Sequence, residues 1–166
     1  MITRIILIAL FTFMSQYSLA QKVKIQKNKS GEYQYQQVFR ADSTSKEEIF
    51  DRLNQWVAKN YVSANDVIQY KDKDNGKIIA KGNFITTNYG WEVYLKHTLT
   101  LETKENRFRV TFDQLKYETA SGDSPEASFS DRVPRKKKML SRLEDKISDS
   151  VNSMLTSVKD DSSDDW

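Results

Sequence analysis

One histidine, His97, interrupts the alternating apolar stretch Val93, Leu95, Leu99 and Leu101, and an imidazole is the side chain whose charge changes nearest neutral pH. Paired with a nearby carboxylate such as Asp113, it would supply the acid and base of a hydrolase-like enzyme acting on an exported substrate. The competing reading is a core or edge histidine held by a single hydrogen bond, since buried polar groups are normally paired. The chain has no cysteine and no second histidine. Thiol catalysis, disulfides and Cys-based metal sites are therefore excluded, no Cys or second His stands ready to complete a metal site or a Cys–His triad, and no metal, no cofactor and no catalytic residue is expected.

Asp72, Asp74 and Gly76 have the residue types of a calcium loop, but setting Gly76 at the sixth position puts Lys71 and Lys73 at ligand positions one and three. The same residues read better as a solvated turn, with Asn75-Gly76 taking the positive φ angles of a tight hairpin. Arg135 to Lys138 is a basic run at the start of a helical pattern, and Asp160, Asp161, Asp164 and Asp165 follow its far end. Both placements oppose the helix dipole, so they reflect either solvation or a charged partner. Tyr33, Tyr35, Tyr89, Trp91 and Tyr94 form an aromatic excess. Together with His97 they are the candidate ligand-binding residues, because Tyr and Trp contribute contact area at small entropic cost; strand propensity explains the same residues without function.

Several elements must position these side chains. Ser45 and Glu48 have capping-box spacing, and Ile49, Phe50, Leu53, Trp56 and Val57 form an apolar stripe, which predicts a helix ending near Asn60, then a turn through Ser63, Ala64 and Asn65. Tyr33 to Ala41 alternates as a first strand with Tyr33, Tyr35, Gln37 and Phe39 on one side. Val67 to Lys71 and Lys77 to Thr86 read as the next two strands. Val93 to Glu102 and Arg107 to Phe112 alternate as a long hairpin whose phase slips near Gln114, predicting a bulge or strand end there. Thr119 to Pro134 reads as a long polar loop, functional or disordered. Leu140, Leu143, Ile147, Val151, Met154, Leu155 and Val158 mark a second amphipathic helix.

The chain has 166 residues, enough for one domain, with 38% hydrophobic and 30% charged residues. Arg4, the apolar run from Ile5 to Met14 and Ser18-Leu19-Ala20 form a signal-peptide pattern with cleavage expected after Ala20. The apolar run is too short to span a bilayer, which takes about twenty residues as a helix. Loss of this segment removes Arg4 and no acid, lowering the formal net charge from +3 to +2. Such a balance gives no general attraction to nucleic acid or anionic membranes. The expected organisation is a signal peptide over 1–20, a flexible leader over 21–31, one α+β domain over 32–159 and an acidic tail over 160–166.

The segments Ser45–Val57 (SKEEIFDRLNQWV), Val67–Gly82 (VIQYKDKDNGKIIAKG) and Glu105–Tyr117 (ENRFRVTFDQLKY) together resemble a family of exported Bacteroidota proteins, a domain of unknown function with a TATA-binding-protein-like (TBP-like) fold. The resemblance runs from Tyr33 to Tyr117 and rests on core and turn residues. It implies a curved antiparallel sheet with helices on one side in an envelope or secreted setting, and it carries no catalytic residues to transfer. DNA binding does not follow from a shared fold.

The expected fold is α+β: a curved antiparallel sheet of about five strands with two helices on one face, in the order β-α-β-β-β-β-α. The expected function is a periplasmic or secreted non-catalytic binding module. Its partner would be an envelope protein, peptide or small ligand, with no nucleic acid and no stable membrane insertion.

Overall fold

The computed structural model describes residues 23–61, 67–122 and 125–159. The expected signal peptide and its cleavage point, the turn through Ser63 to Asn65 and the acidic tail lie outside the described residues. Helix α1, Lys46–Asn60, starts at Ser45, whose hydroxyl accepts from the Glu48 amide at 3.2 Å. Only that half of the capping box forms, because the Glu48 carboxylate turns to Arg52 one helical turn on, at 2.6 Å. Ile49, Phe50, Leu53, Trp56 and Val57 are all buried, so the stripe faces the core as its spacing requires.

The strands are β1 (Gln26–Lys27), β2 (Tyr33–Arg40), β3 (Ile68–Asp72), β4 (Lys77–Asn88), β5 (Trp91–Lys104), β6 (Arg107–Thr119) and β7 (Ala127–Ser128), and helix α2 (Lys136–Lys159) is the last described element. They form one seven-stranded sheet in the order β1-β2-β6-β5-β4-β3, with β7 also paired to β6. Every pairing is antiparallel, and the sheet is curved and unclosed. Helix α1 carries the chain from β2 near one edge to β3 at the other. Its buried stripe and that of α2 (Met139, Leu143, Ile147, Val151, Met154, Val158) share one core with the inner face of the sheet, where Ile78, Ala80, Leu95, Leu99, Leu101, Phe108, Val110 and Phe112 lie. The opposite, outer face has no helix over it among the described residues.

The phase slip near Gln114 is a bulge. Lys96 pairs with Lys116 but Thr98 pairs with Asp113, so β6 holds one extra residue between them, and Gln114 takes a left-handed φ of 49°. After the slip Leu115 and Tyr117 return to the buried face, which is why the apolar phase changes parity there. The bulge is also where β6 changes neighbours, from β2 over Arg107–Phe112 to β7 at Lys116 and Tyr117.

Four expectations need correction. The stretch read as a flexible leader is built in from Val23 onward: Val23 is buried, its amide donates to Ser148 Oγ at 3.1 Å, and the Ile25 amide donates to Glu144 at 3.0 Å. The sheet therefore gains the short strand β1. The loop 119–134 is tied down at its second half by β7 and by Phe129 and Val133, both buried, with the Phe129 amide bonded to the Leu115 carbonyl at 3.1 Å. In the β3–β4 turn only Gly76 is left-handed, at φ 63°. The Asp72 carboxylate accepts from the Asn75 amide at 2.9 Å and from its side chain at 2.7 Å, and this local turn leaves Asn75 out of the left-handed region.

Candidate functional site

His97 projects from β5 into the helix-covered side, directly opposite Gly82 of β4. It is 3% exposed, stacks on Phe84 at 4.4 Å between ring centroids and lies 5.1 Å from Phe112. Tyr61, the residue that ends α1, brings its hydroxyl to 3.0 Å from His97 Nε2, while Nδ1 faces the Leu95 carbonyl at 3.4 Å. A carbonyl only accepts, so Nδ1 carries the proton and Nε2 accepts from the Tyr61 hydroxyl. The ring is neutral and satisfied. Burial pushes the imidazole down from 6.5 to about 4, against a smaller upward effect of the Leu95 carbonyl. Burial likewise raises the Tyr61 phenol well above its ordinary value.

The tight fit explains Gly82. A Cβ at that position would run into the Tyr61 ring and come within 3.3 Å of His97 Nε2, so the glycine is the space the tyrosine occupies.

Asp113, the carboxylate considered as a partner for His97, lies on the other side of the sheet, opposite Thr98. Desolvation raises its pKa, and its Oδ1 is buried without a hydrogen-bond partner. A β-sheet separates the two groups, so no proton passes directly between them and the pair forms no acid–base site.

The outer face near Asp113 carries a group of residues the sequence did not single out. Lys96 reaches Glu118 at 2.7 Å and Glu126 at 3.0 Å, and Lys116 reaches Glu126 at 2.6 Å. Glu118 and then Glu126 raise the Lys96 ammonium, and Lys116 followed by Lys96 lowers the Glu126 carboxylate. Lys96, Lys116 and Glu126 line a shallow depression beside the bulge with Lys81, Gly82, Asn83, His97, Thr98 and Gln114. Alternation placed Lys96 and Lys116 on this face; that Glu126, the residue before β7, arrives there had no sequence signal.

The five aromatic candidates do not form one surface. Tyr35 is buried, its hydroxyl donates to Gln37 at 3.0 Å, and burial pushes it up to about 12. Tyr33 is half-buried, with Lys27 Nζ 5.2 Å from its ring centre. Tyr94 stands half-buried on the outer face, opposite Ile85 on β4 and Glu118 on β6. Tyr89 and Trp91 occupy the tip of the β4–β5 hairpin, far from His97 in register. There Arg135 lays its guanidinium over the Tyr89 ring at 4.4 Å, a contact between two features that looked unrelated in the sequence.

Comparisons with known proteins address this fold. A TBP-like protein from Parabacteroides distasonis superposes with a TM-score of 0.71 at 15% identity, over 80% of this chain and 96% of that one. A DUF4468 family protein from Bacteroides ovatus superposes with a TM-score of 0.57 at 14% identity, over 81% of this chain and 87% of that one. No curated protein matches the chain. The sequence itself matches a family over residues 35–118, a span that takes in α1, the bulge at Gln114 and most of the sheet. The chain belongs to that family, the domain of unknown function DUF4468 with TBP-like fold.

Proposed function

We propose that the protein is an exported, non-catalytic binding module of the cell envelope, and that its partner, a protein, peptide or small ligand, lies on the outer face of the sheet. The observation that carries this reading is the packing of both helices against the inner face, which leaves the outer face open along β4, β5 and β6. On that face Val38 and Ile85 are 55% and 56% exposed, and Tyr94 sits across from Ile85. Val38 and Ile85 lie towards opposite ends of the face in register, so a partner lying along it would meet apolar side chains set among paired charges. The hydrolase-like alternative has less support, because His97 and Asp113 face opposite sides.

The test is native mass spectrometry of the protein purified from the envelope fraction of its host, beside an Ile85→Asp/Val38→Asp variant. A retained mass that the variant loses is the expected result. A retained mass unaffected by the variant, or none at all, refutes the outer face as the binding surface. N-terminal sequencing of the same sample tests export, the expected first residue being Gln21.

A further inference from the structure

Two of the described residues with the most exposed large hydrophobic side chains, Trp91 at 74% and Tyr89 at 68%, sit side by side at the β4–β5 tip. The turn joins paired Asn88 and Trp91 through Tyr89 and Gly90, and both central residues are left-handed, at φ 52° and 84°. Asn-Gly or Gly-Gly fills such a turn without strain, whereas a bulky residue there is a backbone outlier. Arg135, whose guanidinium covers the Tyr89 ring, is also left-handed, at φ 52°. Asn88 fixes the junction by donating to the Pro134 carbonyl at 3.3 Å. The segment leading into α2 thus brings Arg135 onto the aromatic tip, and Arg132, Lys136, Lys137 and Lys138 flank Arg135 in the sequence, with Asp131 and Glu92 as the neighbouring acids.

Three locally unfavourable choices coincide here. Two large side chains hold left-handed backbone, two rings stay in water, and a basic run occupies a helix start that has no acidic residue in its first turn. Residues that break local rules in one place while both rings stay largely exposed point to a surface shaped for a partner.

From this juxtaposition we infer that the β4–β5 tip and the α2 start form a peripheral docking site for an anionic phospholipid membrane surface. Interfacial Trp and Tyr rings settle at headgroup depth, and lysines and arginines beside them are drawn to anionic headgroups. A net charge near zero conceals this polarity. Helix α2 has 24 residues and is about 36 Å long, and the acidic residues from Asp160 follow its other end in the sequence. The attachment is superficial: no helix among the described residues is long and apolar enough to cross a membrane. Nucleic acid fits less well, since Lys96 and Lys116, on the outer face, are already neutralised by glutamates. The inference does not depend on the outer-face partner.

The experiment is flotation of the chain, purified from its host with its natural N-terminus, with phosphatidylcholine vesicles that contain or lack phosphatidylglycerol. Binding only to the anionic vesicles is expected. Lys137→Ala/Lys138→Ala should weaken it about thirtyfold, at roughly fivefold per charge near an anionic surface. Trp91→Ser should weaken it about tenfold, the effect of losing roughly 55 Å² of apolar burial. Ile85→Asp should leave it unchanged, and thermal melts check that all variants are folded. Equal flotation with both vesicles, or unaltered binding by the Lys and Trp variants, overturns the proposal. So does full displacement by inositol hexakisphosphate or a single-stranded oligonucleotide with Trp91→Ser inert, which would assign the patch to soluble polyanions.

Discussion

Acid should destabilise this protein through His97 by an amount that its surroundings allow to be worked out. The folded imidazole titrates at about 4 and an unfolded one at 6.5. Between those values the unfolded chain takes up the proton and the folded protein does not, so stability is complete above pH 6.5, falls as pH falls and reaches its full loss below pH 4. At one unit per 1.36 kcal/mol the loss is about 2 kcal/mol at pH 5 and about 3 kcal/mol at pH 4. Asp113 works in the opposite sense, since its raised pKa means that the cost of burying its charge disappears on acidification. Glu126 and Asp72, both lowered, add losses as pH falls through the ordinary carboxylate range towards their folded values.

The comparison that isolates the histidine is therefore wild type against His97→Phe/Tyr61→Phe, in which both partners of the 3.0 Å bond become apolar and every carboxylate is retained. Urea unfolding followed by circular dichroism at pH 7.5 and pH 5 gives the two stability differences. Wild type should lose about 2 kcal/mol more than the double variant. Because the chain has one histidine, its imidazole Cε1–H resonance reports the folded pKa without assignment. Equal pH dependence in the two proteins, or a resonance midpoint near 6.5, would refute the account of a sealed, neutral His97.

Gly82→Ala should cost about 1–3 kcal/mol in urea unfolding, because the new methyl meets the Tyr61 ring, and Tyr61→Ala in the same chain should remove the clash and make the two changes less than additive. Phe129→Ala should cost about 3–5 kcal/mol, since the ring is fully buried, and should raise amide exchange at Ala127 and Ser128; unaltered protection would mean that β7 is held by its hydrogen bonds alone. Ser45→Ala should cost about 1 kcal/mol by removing the acceptor for the Glu48 amide, and a loss below a few tenths would show that the cap is replaced by solvent.

Local order along the chain decided the secondary structure and much of the layering. A 3.6-residue stripe from Ile49 to Val57 and period-two alternation through β4, β5 and β6 identify buried faces wherever side chains repeat in step with the backbone. Even the bulge was legible, because one extra residue at Gln114 reverses the parity of every later apolar side chain.

Contacts between residues far apart in the chain have no such period, and only the tertiary structure decided them. Val23 and Ile25 are held by Ser148 and Glu144 across 125 and 119 residues, which turned an apparent leader into a strand and its anchor. Tyr61 meets the buried His97 from the end of another element, a partner that no periodicity within β5 indicates. Arg135 meets Tyr89 only because α2 starts beside the β4–β5 hairpin. Periodicity assigns a side chain to a face, while its partner on that face depends on how separate elements dock.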